Sequence, residues 1–339
     1  MVNIGIIGLG LMGMTHFAAY KRHGRGRVVA VADQKFASGE AIGGVGNIVG
    51  QSSGADLGDC AKYAEAADLL ADPNVAAVDI CAPTPAHVPL ALAAIRAGKH
   101  VLLEKPAAPT AAEARTLTDA AKAAGVVLMP AHCMRFWPGW DWLKNAVASG
   151  EYGAVLSATF TRIGAQPPSP FYHDGAASGG AHLDLHIHDT DFVAWVFGRP
   201  LAVTSFGRRD AGGAIFHTLT RYHYGADAAA APLVTAEGAW TREPEKRPFV
   251  MRYAVEFERA SAGYEFGEPP VLTLYEKDAP PRQLPLASEL GYDIETARFA
   301  ECAAAGRECE TSPAAAAVTA LEIIGAEQRS LESGQTVRL

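Results

Sequence analysis

The chain has 339 residues, 49% of them hydrophobic and 19% charged, which is enough apolar mass for more than one core and excludes a disordered chain, a collagen or a disulfide-stapled miniprotein. The formal net charge of −8 repels phosphate backbones and anionic lipid, and so argues against nucleic-acid and membrane partners. Five cysteines, an odd number with no CxxC or Cys/His zinc spacing, read as reduced thiols; with no basic leader and no long apolar run, a soluble, cytoplasmic protein is expected.

Over the first ~130 residues short apolar runs alternate with alanine-rich helical stretches, as βα units around a parallel sheet do. Strands are predicted at Val2–Ile7, Val28–Ala32, Val75–Cys81, Val101–Leu103 and Val126–Met129. Helices are predicted at Met12–Arg22, Ala86–Ala97 and from Thr110 through Ala124. Pro83, Thr84 and Pro85 read as a break before the second helix. Gly98 and Gly125 read as helix stops, and Thr110 with Glu113 as a capping box.

Beyond about residue 150 the period changes to two. Leu156, Ala158 and Phe160 alternate with Ser157, Thr159 and Thr161, and Met251, Tyr253, Val255 and Phe257 alternate with polar neighbours. Further strands are expected at 201–209, 215–224, 233–241 and 271–276, with one helical stretch at 181–197 among them. A mostly antiparallel sheet with one polar face follows from this pattern. From Tyr292 the chain returns to helices, separated by Gly306 and Pro313. The division expected is a parallel-sheet domain over 1–129 and a mostly antiparallel-sheet domain over 130–339. The glycine-rich stretch 39–58 and the proline-rich stretch 164–180 read as loops.

Gly8-Leu9-Gly10-Leu11-Met12-Gly13 is a GxGxxG between a predicted strand and a predicted helix. Its first glycine permits a tight turn, its second lets a pyrophosphate approach the backbone, and its third lets helix and strand pack closely. Asp33, 20 residues after Gly13, stands where a carboxylate accepts hydrogen bonds from the adenosine ribose. It would repel a 2′-phosphate, which favours NAD over NADP.

Glu104-Lys105-Pro106 ends a predicted parallel strand, where open α/β sheets bind ligands. The Lys105 ammonium there is suited to stabilising a reacting oxygen. Asp184 and His188 are four apart and share a helix face. An imidazole near neutrality exchanges a hydroxyl proton, and a carboxylate one turn away orients it or binds substrate. A metal on His186-Ile187-His188 is set aside, because adjacent-but-one residues on a helix diverge; no metal is expected.

These segments together resemble the glucose–fructose oxidoreductase / inositol dehydrogenase / rhizopine catabolism (Gfo/Idh/MocA) family. GLGLMGMTH at 8–16 resembles its opening, and TPAHVPLALAAIRAGKHVLLEKP from Thr84 to Pro106 its most recognisable block. SGGAHLDLHIHDTDF from Ser178 to Phe192 resembles its second-domain helix. The resemblance implies a Rossmann NAD(P)-binding domain followed by a large open, mostly antiparallel sheet that makes homo-oligomer contacts as a dimer or tetramer. It implies Lys105 as catalytic lysine, Asp184 as its aspartate and His188 as acid/base. It places Pro83, Thr84, Pro85, His87 and Glu104 beside the cofactor, and Arg135 near substrate. Ala86 departs from the asparagine of several sugar-oxidising relatives. Tyr172, His173 and Trp137 are further substrate candidates, although a buried core is the commoner fate of Trp137, Trp140 and Trp240. The activity implied is hydride exchange between NAD and a secondary alcohol or ketone of a sugar or polyol. A glycosidase using transient oxidation, a non-catalytic NAD-binding regulator and a metal-dependent hydrolase, which would require bound zinc, are the alternatives.

Overall fold

The computed structural model describes residues 1–44, 56–225, 231–241, 249–267 and 269–339, so the central part of the 39–58 stretch lies outside the described residues. The chain clusters into two compact units, residues 1–136 with 289–318, and residues 137–288 with 319–339.

The first unit begins with strand β1 (Val2–Ile7), helix α1 (Leu11–His23), β2 (Gly26–Ala32), the single turn α2 (Lys35–Ser38), β3 (Ala61–Tyr63) and α3 (Ala66–Ala71). It continues through β4 (Ala77–Ile80), α4 (Thr84–Arg96), β5 (His100–Glu104), α5 (Ala111–Ala124) and β6 (Leu128–Ala131). The six strands are parallel in the order β3-β2-β1-β4-β5-β6. That order reverses direction between β1 and β4, which opens a ligand crevice at their carboxyl ends. Ile4, Ile6, Leu9, Met14, Phe17 and Leu102 pack together with no exposed surface beyond 2%. Such near-continuous apolar strands are what a sheet covered on both faces requires.

α4 starts two residues before its predicted start. Pro83 is its N-cap and Pro85 lies in the first turn, where a missing N–H costs nothing, so the proline pair opens the helix and does not delay it. α5 keeps its expected box: the Thr110 hydroxyl oxygen accepts from the Glu113 N–H at 3.3 Å.

In the second unit α6 (Trp140–Ser149) precedes β7 (Val155–Ala165) and two single turns, α7 (Pro170–His173) and α8 (Gly175–Ser178). A π-helical turn over His182–His186 then runs into α9 (Ile187–Phe197). Strands β8 (Ala202–Arg209), β9 (Ile215–His223), β10 (Leu233–Thr241), β11 (Val250–Phe257), β12 (Ala260–Glu265), β13 (Val271–Glu276) and β14 (Arg282–Leu284) follow. After α10 (Gly291–Ala305) and α11 (Ala314–Ser333), β15 (Val337–Arg338) closes the chain. The sheet order is β14-β13-β12-β11-β7-β10-β9-β8-β15, and among the described strands of this sheet only β7 and β10 pair in parallel. Trp140 anchors the core of this unit, fully buried among Phe160, Phe192, Tyr253 and Tyr264. Among the described residues, no helix is long and apolar enough to cross a membrane.

Candidate active site

The glycine turn joins β1 to α1. Gly8 has φ +91°, and a Cβ there would stand 2.8 Å from the Cys81 carbonyl oxygen. A Cβ on Gly13 would stand 1.9 Å from the Gly8 carbonyl oxygen, so α1 begins this close to the strand only without a side chain. Gly10 behaves differently: among the described residues a Cβ there would meet nothing within 4 Å, which leaves space at this position, as a glycine approached by a pyrophosphate needs. The first turn of α1, with Leu11 and Met12, carries no acidic side chain, so its N-terminal dipole is free to favour an anion. Asp33 follows β2 directly. One carboxylate oxygen accepts from the Leu9 N–H at 2.6 Å and the other from the Lys35 N–H at 2.9 Å. It therefore ties the glycine turn to the end of β2, where its remaining lone pairs suit ribose hydroxyls. Together the turn, the helix end and this carboxylate fit a dinucleotide.

Lys105 follows β5 and is half-buried, and its peptide bond to Pro106 is cis. Its backbone N–H donates to a Glu104 carboxylate oxygen at 2.9 Å. The other Glu104 oxygen lies 3.5 Å from His16 Nε2, and His16 Nδ1 lies 2.9 Å from Asp79 Oδ2. Both side chains of the His16–Asp79 pair are wholly buried. Burial opposes a charge on His16, but Asp79, Glu104 and Glu295 outweigh it and raise its pKa to about 9. An imidazolium in α1 thus bridges a carboxylate in β4 to the carboxylate that holds Lys105. Burial raises the Glu104 pKa, while His16 and Lys105 pull it down. The Cys81 Sγ donates to Asp79 Oδ1 at 3.3 Å, and burial pushes this thiol well up.

His87 is buried, with Nδ1 2.8 Å from the Pro106 carbonyl oxygen and Nε2 2.7 Å from that of Ala82. Both acceptors are carbonyls, so the ring satisfies both only when both nitrogens carry protons. Burial and the Lys105 ammonium push its pKa the other way. His87 therefore clamps the segment before Pro83 and Thr84 to the segment after Lys105. Arg135, also buried, donates to the Thr311 carbonyl oxygen at 2.9 Å.

In the second unit Asp184 lies in the π-helical turn and His188 in the first turn of α9, both half-buried. Asp189 beside His188 is wholly buried and receives two hydrogen bonds from Arg162 of β7, at 2.8 and 3.0 Å. The Arg162 guanidinium also lies over the Trp140 ring, 5.2 Å from its centre. This fork fixes the start of α9 on the sheet. Gly180, with φ +73°, brings the approach to the π turn against β9: a Cβ would meet the Ile215 carbonyl oxygen at 2.5 Å. Tyr172 stacks edge-on against Trp240, and His173 is exposed beside Gln166. Trp137 and Trp240 are only 3% and 4% exposed. His186 and His188 differ in burial, the first buried and the second half-buried.

Asp79 and Arg162 lie outside the motifs quoted above, and His16 and Asp189 lie inside them with no role assigned. The one signal in the sequence is Asp79 itself, a lone carboxylate inside the apolar run Val75–Cys81, since a buried charge demands a partner.

A family model described as "Oxidoreductase family, NAD-binding Rossmann fold" matches residues 2–132. The family's C-terminal domain model matches residues 140–241. The chain belongs to the Gfo/Idh/MocA oxidoreductases. Myo-inositol 2-dehydrogenase of Thermotoga maritima is 32% identical over 199 residues, 58% of this chain and 55% of that protein. The 1,5-anhydro-D-fructose reductase of Ensifer adhaerens is 38% identical over 135 residues, 38% of this chain and 40% of that one. These alignments span about half or less of the curated relatives' length. A similar fold is seen in a levoglucosan dehydrogenase structure with NADH and levoglucosan, at TM-score 0.80 and 21% identity over 99% of both chains. The Rossmann assignment and the mostly antiparallel second sheet expected from the sequence are both met.

Proposed function

We propose that this protein is an NAD-dependent dehydrogenase or reductase that interconverts a secondary alcohol and a ketone on a sugar, polyol or sugar derivative. When bound, the nicotinamide accepts or returns the hydride at the reacting carbon. In oxidation His188 takes the hydroxyl proton and in reduction gives it back. Asp184 orients the imidazole or holds a substrate hydroxyl, and Lys105 hydrogen-bonds the reacting oxygen as negative charge develops on it. Arg135, Trp137, Tyr172 and His173 are assigned to the substrate side, and Pro83, Thr84, Pro85, His87 and Glu104 to the cofactor side.

The observation that carries this reading is Lys105 at the carboxyl end of β5, its backbone fixed by a Glu104 that His16 in turn holds. Asp33 supports NAD over NADP, because the carboxylate opposes a 2′-phosphate. The relatives' names support the substrate class. The reading extends to a cytoplasmic homo-oligomer assembled through the nine-stranded sheet. Phe206 and Leu219 support this: they face each other on β8 and β9 and are 61% and 45% exposed.

The test is NADH production by the purified protein with NAD and NADP separately, across inositols, aldoses, sugar acids, amino sugars and intact glycosides. Turnover lost in Lys105→Ala and His188→Ala, with NAD affinity kept, is the expected result. Wild-type rates in His188→Ala would remove its assigned role, and glycoside cleavage without net NADH would replace the dehydrogenase by the transient-oxidation enzyme.

A further inference from the structure

The second unit buries a group of side chains for which the proposed reaction has no use. His182 and His186 lie four residues apart in the π-helical turn, their rings stacked with centres 5.8 Å apart and planes at 21°. Glu327 reaches them from α11, and none of the three side chains is more than 2% exposed. Its Oε1 accepts from the Thr190 hydroxyl at 3.1 Å. Its Oε2 accepts no hydrogen bond; it stands 3.7 Å from His182 Nδ1 and 3.4 Å from His186 Nε2.

The tautomer of His182 follows from its other contact. Its Nε2 lies 3.3 Å from the Ile324 carbonyl oxygen, which only accepts, so Nε2 carries the proton. The neutral ring then turns the lone pair of Nδ1, which has no hydrogen-bond partner, toward a carboxylate oxygen that also has none. Two such atoms facing each other away from water call for something electropositive between them. The spacing indicates what. Ligand atoms about 2.0–2.2 Å from a tetrahedral zinc lie roughly 3.3–3.6 Å from one another, close to the distances found here. By contrast, His16 Nδ1 and Asp79 Oδ2, which form a compact group with Cys81 in the first unit, are 2.9 Å apart. That is a hydrogen bond, with no room for an ion between its atoms.

The surroundings have the form of an outer shell. Ile324 fixes one histidine through its other nitrogen, and Thr190 fixes the carboxylate through its other oxygen, as partners of metal ligands do. The Tyr222 hydroxyl, 3.4 Å from His186 Nε2 and 3.1 Å from the Thr190 hydroxyl, stands ready as a fourth donor. Gly238 of β10 makes the space: a Cβ there would stand 2.7 Å from that of His186.

We propose that His182 Nδ1, His186 Nε2 and Glu327 Oε2 bind a divalent transition-metal ion, zinc by preference, with the Tyr222 hydroxyl or a water completing the set. Two imidazoles select against magnesium and calcium, and the burial makes the site structural. The ion ties α11 to the turn that carries Asp184, which stands between the two histidines in the chain.

The test needs no substrate. Untagged full-length protein from zinc-supplemented culture is analysed for metal by mass spectrometry, and its thermal unfolding is followed with and without added zinc. About one zinc per chain is expected in the wild type, with a melting point raised by zinc. His182→Gln and Glu327→Gln should lower the content about tenfold and abolish the shift. Cobalt should give visible bands of tetrahedral intensity in the wild type and not in His182→Gln. Far-ultraviolet circular dichroism and NAD affinity report whether the variants fold. Wild-type protein that carries no metal and shows no shift overturns the proposal, whatever the variants do. So does zinc retained equally by wild type and folded His182→Gln, which would place the ion elsewhere.

Discussion

Replacing Asp79 with asparagine removes the main charge that keeps His16 protonated. In the wild type this imidazole is wholly buried, 2.9 Å from Asp79 and 3.5 Å from Glu104, and its pKa is about 9 against 6.5 for the free side chain. That difference corresponds to about 3 kcal/mol, in line with the ~3–5 kcal/mol lost when one partner of a buried ion pair is deleted. Because the folded pKa lies above the unfolded one, the contribution is fully present below pH 6.5 and disappears as pH rises through about 9. Burial holds the neighbouring Tyr20 and Cys81 well above their ordinary values, which keeps both protonated over that window. The assay is denaturant unfolding of wild type and Asp79→Asn from pH 6.5 to about 10, with His16 titrated directly by NMR. The stability difference between the two proteins should shrink by about 3 kcal/mol across the window. In the variant burial wins, and His16 should titrate below its wild-type value. A difference that stays constant with pH, or a wild-type His16 already neutral at pH 7.5, would refute the reasoning.

The glycine turn separates stability from binding. Gly13→Ala meets the Gly8 carbonyl oxygen and should cost about 1–3 kcal/mol or more in unfolding experiments. Among the described residues Gly10→Ala meets no atom within 4 Å, so it should change stability by less than about 0.5 kcal/mol while weakening NAD about tenfold or more by fluorescence titration. Arg162→Leu strands the buried Asp189 and should cost about 3–5 kcal/mol, whereas Arg162→Met with Asp189→Leu should recover most of it. Asp33→Ser should narrow the preference for NAD over NADP, measured as the ratio of the two kcat/KM values. It should also lower the melting point slightly, since the Leu9 and Lys35 N–H groups share one acceptor fewer.

What the sequence made legible is local. The glycine turn, the strand end at Glu104-Lys105-Pro106, the Thr110 box and the period-two strands each lie within a few residues, where spacing alone implies geometry. The short strands β3, β12 and β14 did not stand out. β3 has only three residues, and its place at the sheet edge comes from pairing with β2. Pro83 and Pro85 misled through the same locality: a proline read as a stop is also a good first-turn residue.

The supports of the candidate catalytic residues are of the opposite kind. His16 and Asp79 are 63 residues apart, Thr190 and Glu327 are 137 apart, and His182 and the Ile324 carbonyl are 142 apart. No spacing rule joins such residues, because only the completed sheets bring them together. Asp79 still leaves a trace, a charged side chain inside the otherwise apolar run Val75–Cys81. A buried charge costs several kcal/mol unless it is partnered, so such a residue persists only where the fold supplies a partner. In this chain those partners are found behind the residues that motifs had already marked. Lys105 rests on Glu104 and His16, and His188 stands beside an Asp189 that Arg162 holds. The chemistry is written at the ends of the elements, and the rigidity it requires is written in the charges they bury.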